Sequence, residues 1–291
     1  MDVFPVHANC RLPRIPFFAR FDRLGGRLCA LLAVLLGLVA PACAVDIVRL
    51  RFELEANPPR VALAGTEIDW SKPGLSLELL KRVSKRLGID FVYQRTPWKR
   101  SLLALENGDA DGVFHASFVP ERLETLVYPM NDGKPDVARS MFTQSYALYV
   151  TRQSAVRWDG KSLQGVDGPV GVSIGYSIGG ELQKRGVTVT EVRSVDAGLG
   201  MVAADRLAAY AGLEAMTDAA LSAHSAAKST NSTNSTNSTI IKISPPLQTK
   251  PYYLVFSKSF YARQPQLAER IWTTLREVRD SAEFQSLQAQ Y

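Results

Sequence analysis

Arg122 closes the stretch GDADGVFHASFVPER, Gly108 to Arg122. An acidic, glycine-bearing turn runs into a short apolar segment, which leads to Ser117, Pro120, Glu121 and Arg122. Proline suits the first position of a helix, and an acidic residue near the start complements the dipole. A helix is therefore predicted to begin at Pro120, with Arg122 in its first turn. A guanidinium is a planar fork matching a carboxylate, and the free N–H groups of a helix start favour anions. These residue types at this spacing point to a carboxylate receptor at the end of a strand. A surface ion pair of Arg122 with Glu121, Glu124 or Asp111 is the competing reading.

Other groups invite chemistry less directly. Gly175-Tyr176-Ser177-Ile178-Gly179 fits the G-x-S-x-G of a nucleophile elbow, between a predicted strand and helix. Only His224 follows Ser177, beside a polar repeat, and the sheet ends and restarts before the motif, which disfavours a serine hydrolase. His115 sits in an apolar strand, as a satisfied buried histidine does. His115 and His224 lack cysteines or acids at ligand spacing, so no metal and no other cofactor is expected. Trp98 precedes a helix and serves equally as pocket wall or core anchor.

Those residues must be positioned by a chain of 291 residues, 46% hydrophobic and 21% charged, enough for one large domain or two small ones. Leu28 to Ala40 is an apolar run preceded by Arg20, Arg23 and Arg27 and followed by Ala42-Cys43-Ala44. Basic flank, apolar stretch and A-x-A site predict a signal peptide over residues 1–44, cleaved after Ala44. Cys10, Cys29 and Cys43 all fall inside it, so the exported chain carries no thiol chemistry. The leader has five Arg and two acidic residues, leaving +3 of the total +6 on the remainder. That balance argues against a nucleic-acid partner.

After the leader, Val48 to Leu54 alternates as a half-buried strand, and Leu75, Leu79, Leu80, Val83 and Leu87 recur at helical spacing between Pro73-Gly74 and Gly88. A strand from Ile89 to Tyr93, a helix over 99–107 and a strand from Gly112 to Ser117 complete a β-α-β-α-β opening. The alternation restarts with strands at Pro169–Ile174, Val187–Val192 and Leu207–Ala211. Helices follow them at Ser177–Arg185, Asp196–Ala204 and Leu213 to about Ala226. Ser145 to Arg152 and Tyr252 to Ser257 read as extended crossings, and Leu267, Ile271, Leu275 and Val278 mark a closing helix. The NST repeat within 228–239 is predicted to be a disordered surface loop.

Pro97 to Gly112 reads P-W-x-R-x-L-x-x-L-x-x-G-x-x-D-G, followed by S-x-x-P-E-R from Ser117 to Arg122. This resembles the family 3 periplasmic solute-binding proteins of ABC transporters, the polar amino-acid binders. The resemblance covers most of residues 46–291. It implies that Arg122 clamps an α-carboxylate, with His115 and Ser117 on the same wall and Gly175-Tyr176-Ser177 as a carboxyl-accepting turn from a second lobe. An acid after a second-lobe strand would meet an α-ammonium. Glu214 is the nearest, one position out of register, and Glu55 is another candidate. Val119 replaces the threonine of the T-P-E-R signature, removing a possible helix cap. Asn57 and Arg60 replace the aromatic residues usual at the Pro58-Pro59 turn, so Trp70 or Trp98 would have to supply a stacking face.

The expected fold is α/β and two-lobed, as in periplasmic binding proteins. Each lobe would be a mostly parallel sheet flanked by helices, joined by two hinge strands. Residues 45–148 plus 253–291 would form a discontinuous lobe and 149–252 a continuous one, with two sequential domains as the alternative. The resemblance implies a periplasmic, monomeric, non-enzymatic receptor for an amino acid or small organic acid, serving an inner-membrane ABC permease. A sensor input protein, a small-carboxylate dehydratase or lyase, and a secreted hydrolase using Ser177 remain the alternatives.

Overall fold

The computed structural model describes residues 45–62, 65–229 and 240–291. The predicted leader and the part of the NST tract over 230–239 lie outside the described residues. Strand β1 (Ile47–Phe52) buries Val48, Leu50 and Phe52 on one face, as its alternation requires. It pairs in parallel with β2 (Asp90–Arg95) and β3 (Gly112–Ser117). Helix α1 (Leu75–Leu87) links β1 to β2 and buries Leu75, Leu79, Leu80 and Val83. Glu78 in its first turn and Lys85 and Arg86 in its last complement the dipole, and Gly88 ends it in the left-handed conformation. Helix α2 (Trp98–Glu106) links β2 to β3.

After β3 the chain makes a 3-10 turn over Pro120–Glu124 and a short strand β4 (Leu126–Val127). A hairpin of β5 (Met130–Asn131) and β6 (Lys134–Pro135) precedes the long strand β7 (Phe142–Thr151). The second lobe opens with a ribbon of β8 (Arg157–Trp158) and β9 (Leu163–Gln164). Its parallel strands are β10 (Val170–Ser173), β11 (Val189–Val192) and β12 (Ala209–Leu213), and its helices are α3 (Ile178–Lys184), α4 (Val195–Ala203) and α5 (Glu214–Ser229). Strand β13 (Ile240–Ser257) returns to the first lobe, where α6 (Lys258–Arg263), α7 (Pro265–Arg279) and α8 (Ala282–Gln288) finish the chain.

The strands form a continuous path, β11-β10-β12-β7-β13-β3-β1-β2, with β4 beside β13. Each lobe is a parallel trio edged by an antiparallel strand, and β7 with β13 belongs to both. These two pair from Ile240 opposite Thr151 to Ile243 opposite Leu148, and again from Gln248 opposite Tyr146 to Tyr252 opposite Phe142. Pro245 and Pro246 fall in the interruption, where no ladder donor is required. The buried side chains separate along the same line. Met141, Leu254 and Phe256 join the core beneath α1 and α7; Tyr146 to Val150 and Tyr252 join the second lobe's core; Tyr253 and Val255 pack under Trp98 and Tyr128.

The return strand is 18 residues long, not the six from Tyr252 to Ser257 that the apolar run suggested. Lys242, Ser244, Pro245, Pro246 and Lys250 hide its first two thirds from a pattern search, and β7 supplies the ladder that holds them extended. Helices α6 and α8 were not foreseen, being too short to show a hydrophobic period. Helix α5 runs to Ser229, into the span predicted as loop. No helix of the described residues is long and apolar enough to cross a membrane.

Gly74 shows how tightly the Pro58-Pro59 turn meets α1. It has φ 101°, and a Cβ there would lie 2.4 Å from the Arg60 carbonyl oxygen. Gly74→Ala is expected to lower unfolding free energy by about 2 kcal/mol or more, strain and backbone clash together. Gly133, at φ 74° with open space around it, should lose only about 1–2 kcal/mol as Gly133→Ala. Equal urea midpoints for the two variants would contradict this packing.

Candidate binding cleft

The cleft begins with an irregularity in β3. Tyr253 of β13 opposes Ala116 while Leu254 opposes Phe114, so His115 is the extra residue of a bulge. It holds φ 67°, a left-handed conformation uncommon for a residue with a side chain. The bulge aims the imidazole into the cleft, where Nε2 lies 2.6 Å from the Ser76 hydroxyl. Burial, reinforced by the charge of Arg60, pushes its pKa down to about 3 and keeps it neutral.

Arg122 lies in the 3-10 turn, not in an α-helix, and Val119 at its start offers no side-chain cap. The guanidinium turns into the cleft. Nη1 donates to the Ser117 carbonyl at 2.8 Å and Nη2 to the Gly175 carbonyl at 3.1 Å, while Cζ lies 5.5 Å from the Trp98 ring centre. Asp111, a possible surface partner, instead pairs with Arg49 and Arg263. Trp98 donates its Nε1 to the same Gly175 carbonyl at 3.2 Å, and the Ser117 and Ser177 hydroxyls meet at 2.9 Å. Residues 98, 117 and 122 of the first lobe thus grip residues 175–177 of the second. Gly175, at φ 77°, turns its carbonyl toward them, while its N–H donates to Glu191 and that of Tyr176 to the Ser173 carbonyl. The turn thus shows Arg122 the Gly175 carbonyl oxygen, while the N–H groups of Gly175 and Tyr176 are taken up within the second lobe.

Two carboxylates also line the cleft. Glu53 receives the Trp98 N–H at 3.1 Å and the Tyr176 hydroxyl at 3.4 Å, and burial raises its pKa. Glu55 receives the Val195 N–H at 3.1 Å, at the start of α4 in the second lobe. Burial, with Glu53 and Asp196 nearby, pushes its pKa up to about 7.

The cavity is about 30 Å³, room for little more than a water molecule. Trp98, His115, Ser117, Arg122, Tyr176, Ser177 and Glu55 line it. Gly175 stands behind through its carbonyl. Glu214 does not reach the cavity: its carboxylate pairs with Lys242 at 2.6 Å, because the first residue of α5 faces the beginning of β13. Trp70 is also elsewhere, half exposed against Tyr93. Among the described residues Ser177 has no histidine partner, His115 being engaged by Ser76 and His224 lying 3.3 Å from Asp196. Sequence reasoning missed Glu53, Tyr146, Met216 and Tyr252, which also line the cavity. Glu53 was within reach, since it alternates with Glu55 beyond β1. Tyr146 and Tyr252 required the pairing of the two crossing strands.

A family model for bacterial extracellular solute-binding proteins, family 3, matches residues 63–291. The chain belongs to that family. No curated protein matches it. Among solved structures it is similar to a histidine kinase sensor domain with similarity to periplasmic binding proteins (13% identity, TM-score 0.65, covering 85% of this chain and 96% of that one). An ancestral arginine-binding protein bound to glutamine gives 17% identity and TM-score 0.63, covering 85% and 98% of the two chains. The substrate-binding protein of an amino acid ABC transporter gives 13% and 0.60, covering 84% and 99%. At these identities the likeness establishes the two-lobed fold.

Glu55 gives a signed pH dependence. Its folded pKa of about 7 lies above the ordinary 4.5, so the unfolded chain ionises first as pH rises. Its contribution to stability therefore falls between those values and levels off above them. Glu55→Gln stays neutral, so its advantage over the parent in urea denaturation should grow from pH 4.5 to 7. A difference independent of pH would remove the buried-carboxylate account.

Proposed function

We propose that the chain is a periplasmic receptor that closes its lobes on a small carboxylated ligand of the amino-acid type and presents the closed form to an inner-membrane ABC permease. The observation that carries the reading is the Arg122 guanidinium, held between a first-lobe and a second-lobe carbonyl on the face of Trp98. A ligand carboxylate fits that fork, and Glu55 offers an ammonium its counter-charge. A cavity of about 30 Å³ requires the lobes to part for entry. The hinge would lie near residues 142–146 and 248–253, where the crossing strands pass between the two cores. This divides the chain into a discontinuous lobe and a continuous one, the former ending sooner than residue 148.

Ligand contacts from both lobes favour closure, and a membrane partner that distinguishes closed from open reads occupancy. The occupied hydrogen bonds of Ser177 and His115 support binding over turnover. Sensing is the second reading, supported by the likeness to a histidine kinase sensor domain; it uses the same closure with a different partner.

Thermal unfolding and calorimetry against amino acids and small organic acids test the receptor. A ligand at a hundredfold excess over Kd should add about 2.7 kcal/mol of stability. Arg122→Ala should abolish that gain, and Arg122→Lys, which keeps the charge without the fork, should weaken binding about tenfold or more. Parent-like affinity in Arg122→Ala would remove the clamp.

A further inference from the structure

The two carboxylates of the cleft exceed what one α-ammonium requires. Glu53 and Glu55 both line the cavity that Arg122 lines, and among the described residues neither has an ion-pair partner. The charged and titratable groups around them do not fill that role. Arg95 attracts Glu53 electrostatically, but its guanidinium donates to the main-chain carbonyls of Glu53, Leu54, Glu55 and Glu67 and to neither carboxylate. Arg122 donates to the Ser117 and Gly175 carbonyls and to neither carboxylate. From the second lobe, Tyr176 and the Val195 N–H contribute neutral donors, Asp196 adds negative charge, and His224 pairs with Asp196.

Unpaired carboxylates withdrawn from water are expensive. A second observation points to the same missing chemistry. Asn57 is 4% exposed, lines the cavity, and donates its Nδ2 to Gln144, which leaves Oδ1 without a partner. The cleft thus presents two carboxylates and an amide oxygen, all acceptors. Asn57 stands at the Pro-Pro turn where the resemblance leads one to expect an aromatic ring, so the chain offers an acceptor where a stacking face was anticipated.

We propose that the ligand is a cationic amino acid: its α-carboxylate meets Arg122, and its two positive groups share the acceptor wall of Glu53, Glu55 and Asn57. An ammonium brings three donors and a guanidinium five, enough to engage that wall. A neutral side chain leaves one carboxylate unpaired, and an acidic one is repelled. Glu53 is held in place by Trp98 and Tyr176, so it is a preformed acceptor. Glu55 also takes a second-lobe N–H, which couples its neutralisation to closure. This inference rests on the receptor reading above.

Calorimetric titration of the protein with L-arginine, L-lysine, L-ornithine, L-glutamine and L-glutamate at pH 8 tests it. At least one cationic amino acid should bind ten times more tightly than glutamine, with glutamate weakest. Glu53→Gln and Glu55→Gln should each shift the cationic-to-glutamine affinity ratio tenfold or more toward glutamine, a ratio that a general loss of folded protein does not move. Lowering the pH from 8 to 6 should weaken cation binding as protons compete for Glu55. If glutamine or glutamate binds as tightly as all three cationic amino acids and loses affinity in Arg122→Ala, the charge inference falls and the receptor stands. If none of the five binds, the charge inference falls, and the receptor reading is decided by the wider panel of amino acids and organic acids above.

Discussion

The guanidinium of Arg122 is a cationic group on which both lobes converge. It joins the carbonyl ending β3 to the carbonyl of the Gly175 turn, with the Trp98 ring against it. Hydrogen bonds made by a charged donor are worth about 1.5–3 kcal/mol each, so these contacts weigh appreciably on the balance between parted and closed lobes. On the proposed reading, a ligand carboxylate competes for the same fork. Its effect on closure is the difference between what it gains there and what it displaces. On that reading, a clamp at the lobe boundary couples binding to closure, whereas a carboxylate receptor buried within one lobe would bind an anion without reporting it.

The rest of the cleft is arranged around that charge. Ser117, Ser177, Tyr146 and Tyr252 put hydroxyl groups on its lining, whereas Glu53 and Glu55 place negative charge on the wall after β1. The carboxylates are held by main-chain N–H groups of both lobes, yet burial raises their pKa values, a sign that their neighbours compensate them incompletely. Such local cost at a cleft is characteristic of sites organised for binding. His115 contributes differently. Neutral and tied to Ser76, it shapes the wall without adding charge, and the bulge that aims it departs from regular strand geometry.

The hinge proposed above falls on the two crossing strands. Their ladder is interrupted around Pro245 and Pro246, and the cores of the lobes divide between Tyr252 and Tyr253. Asn57 and Arg60 connect the Pro-Pro turn to the crossing strand through Gln144 and the Thr143 carbonyl. The Pro-Pro turn, whose Asn57 lines the cleft, is thereby tied directly to a crossing strand.

The elements and their order were legible in the sequence because each carries its own local signal. The α1 period, the Gly88 stop and the Gly112–Ser117 strand depend on neighbours a few residues away, and the motif ending in Arg122 singled out a guanidinium that does line the cleft. Glu214 and Glu53 mark the limit. Both are acids next to strand ends and nothing local separates them, but packing turns Glu214 to Lys242 and Glu53 into the cleft. The long return strand was hidden for the same reason, since its polar and proline-containing half is extended only because β7 lies beside it. Local chemistry determined which segments form and which residue types could bind; the meeting of segments more than a hundred residues apart decided which side chains share one cavity, because distances across the fold are set by packing and not by spacing along the chain.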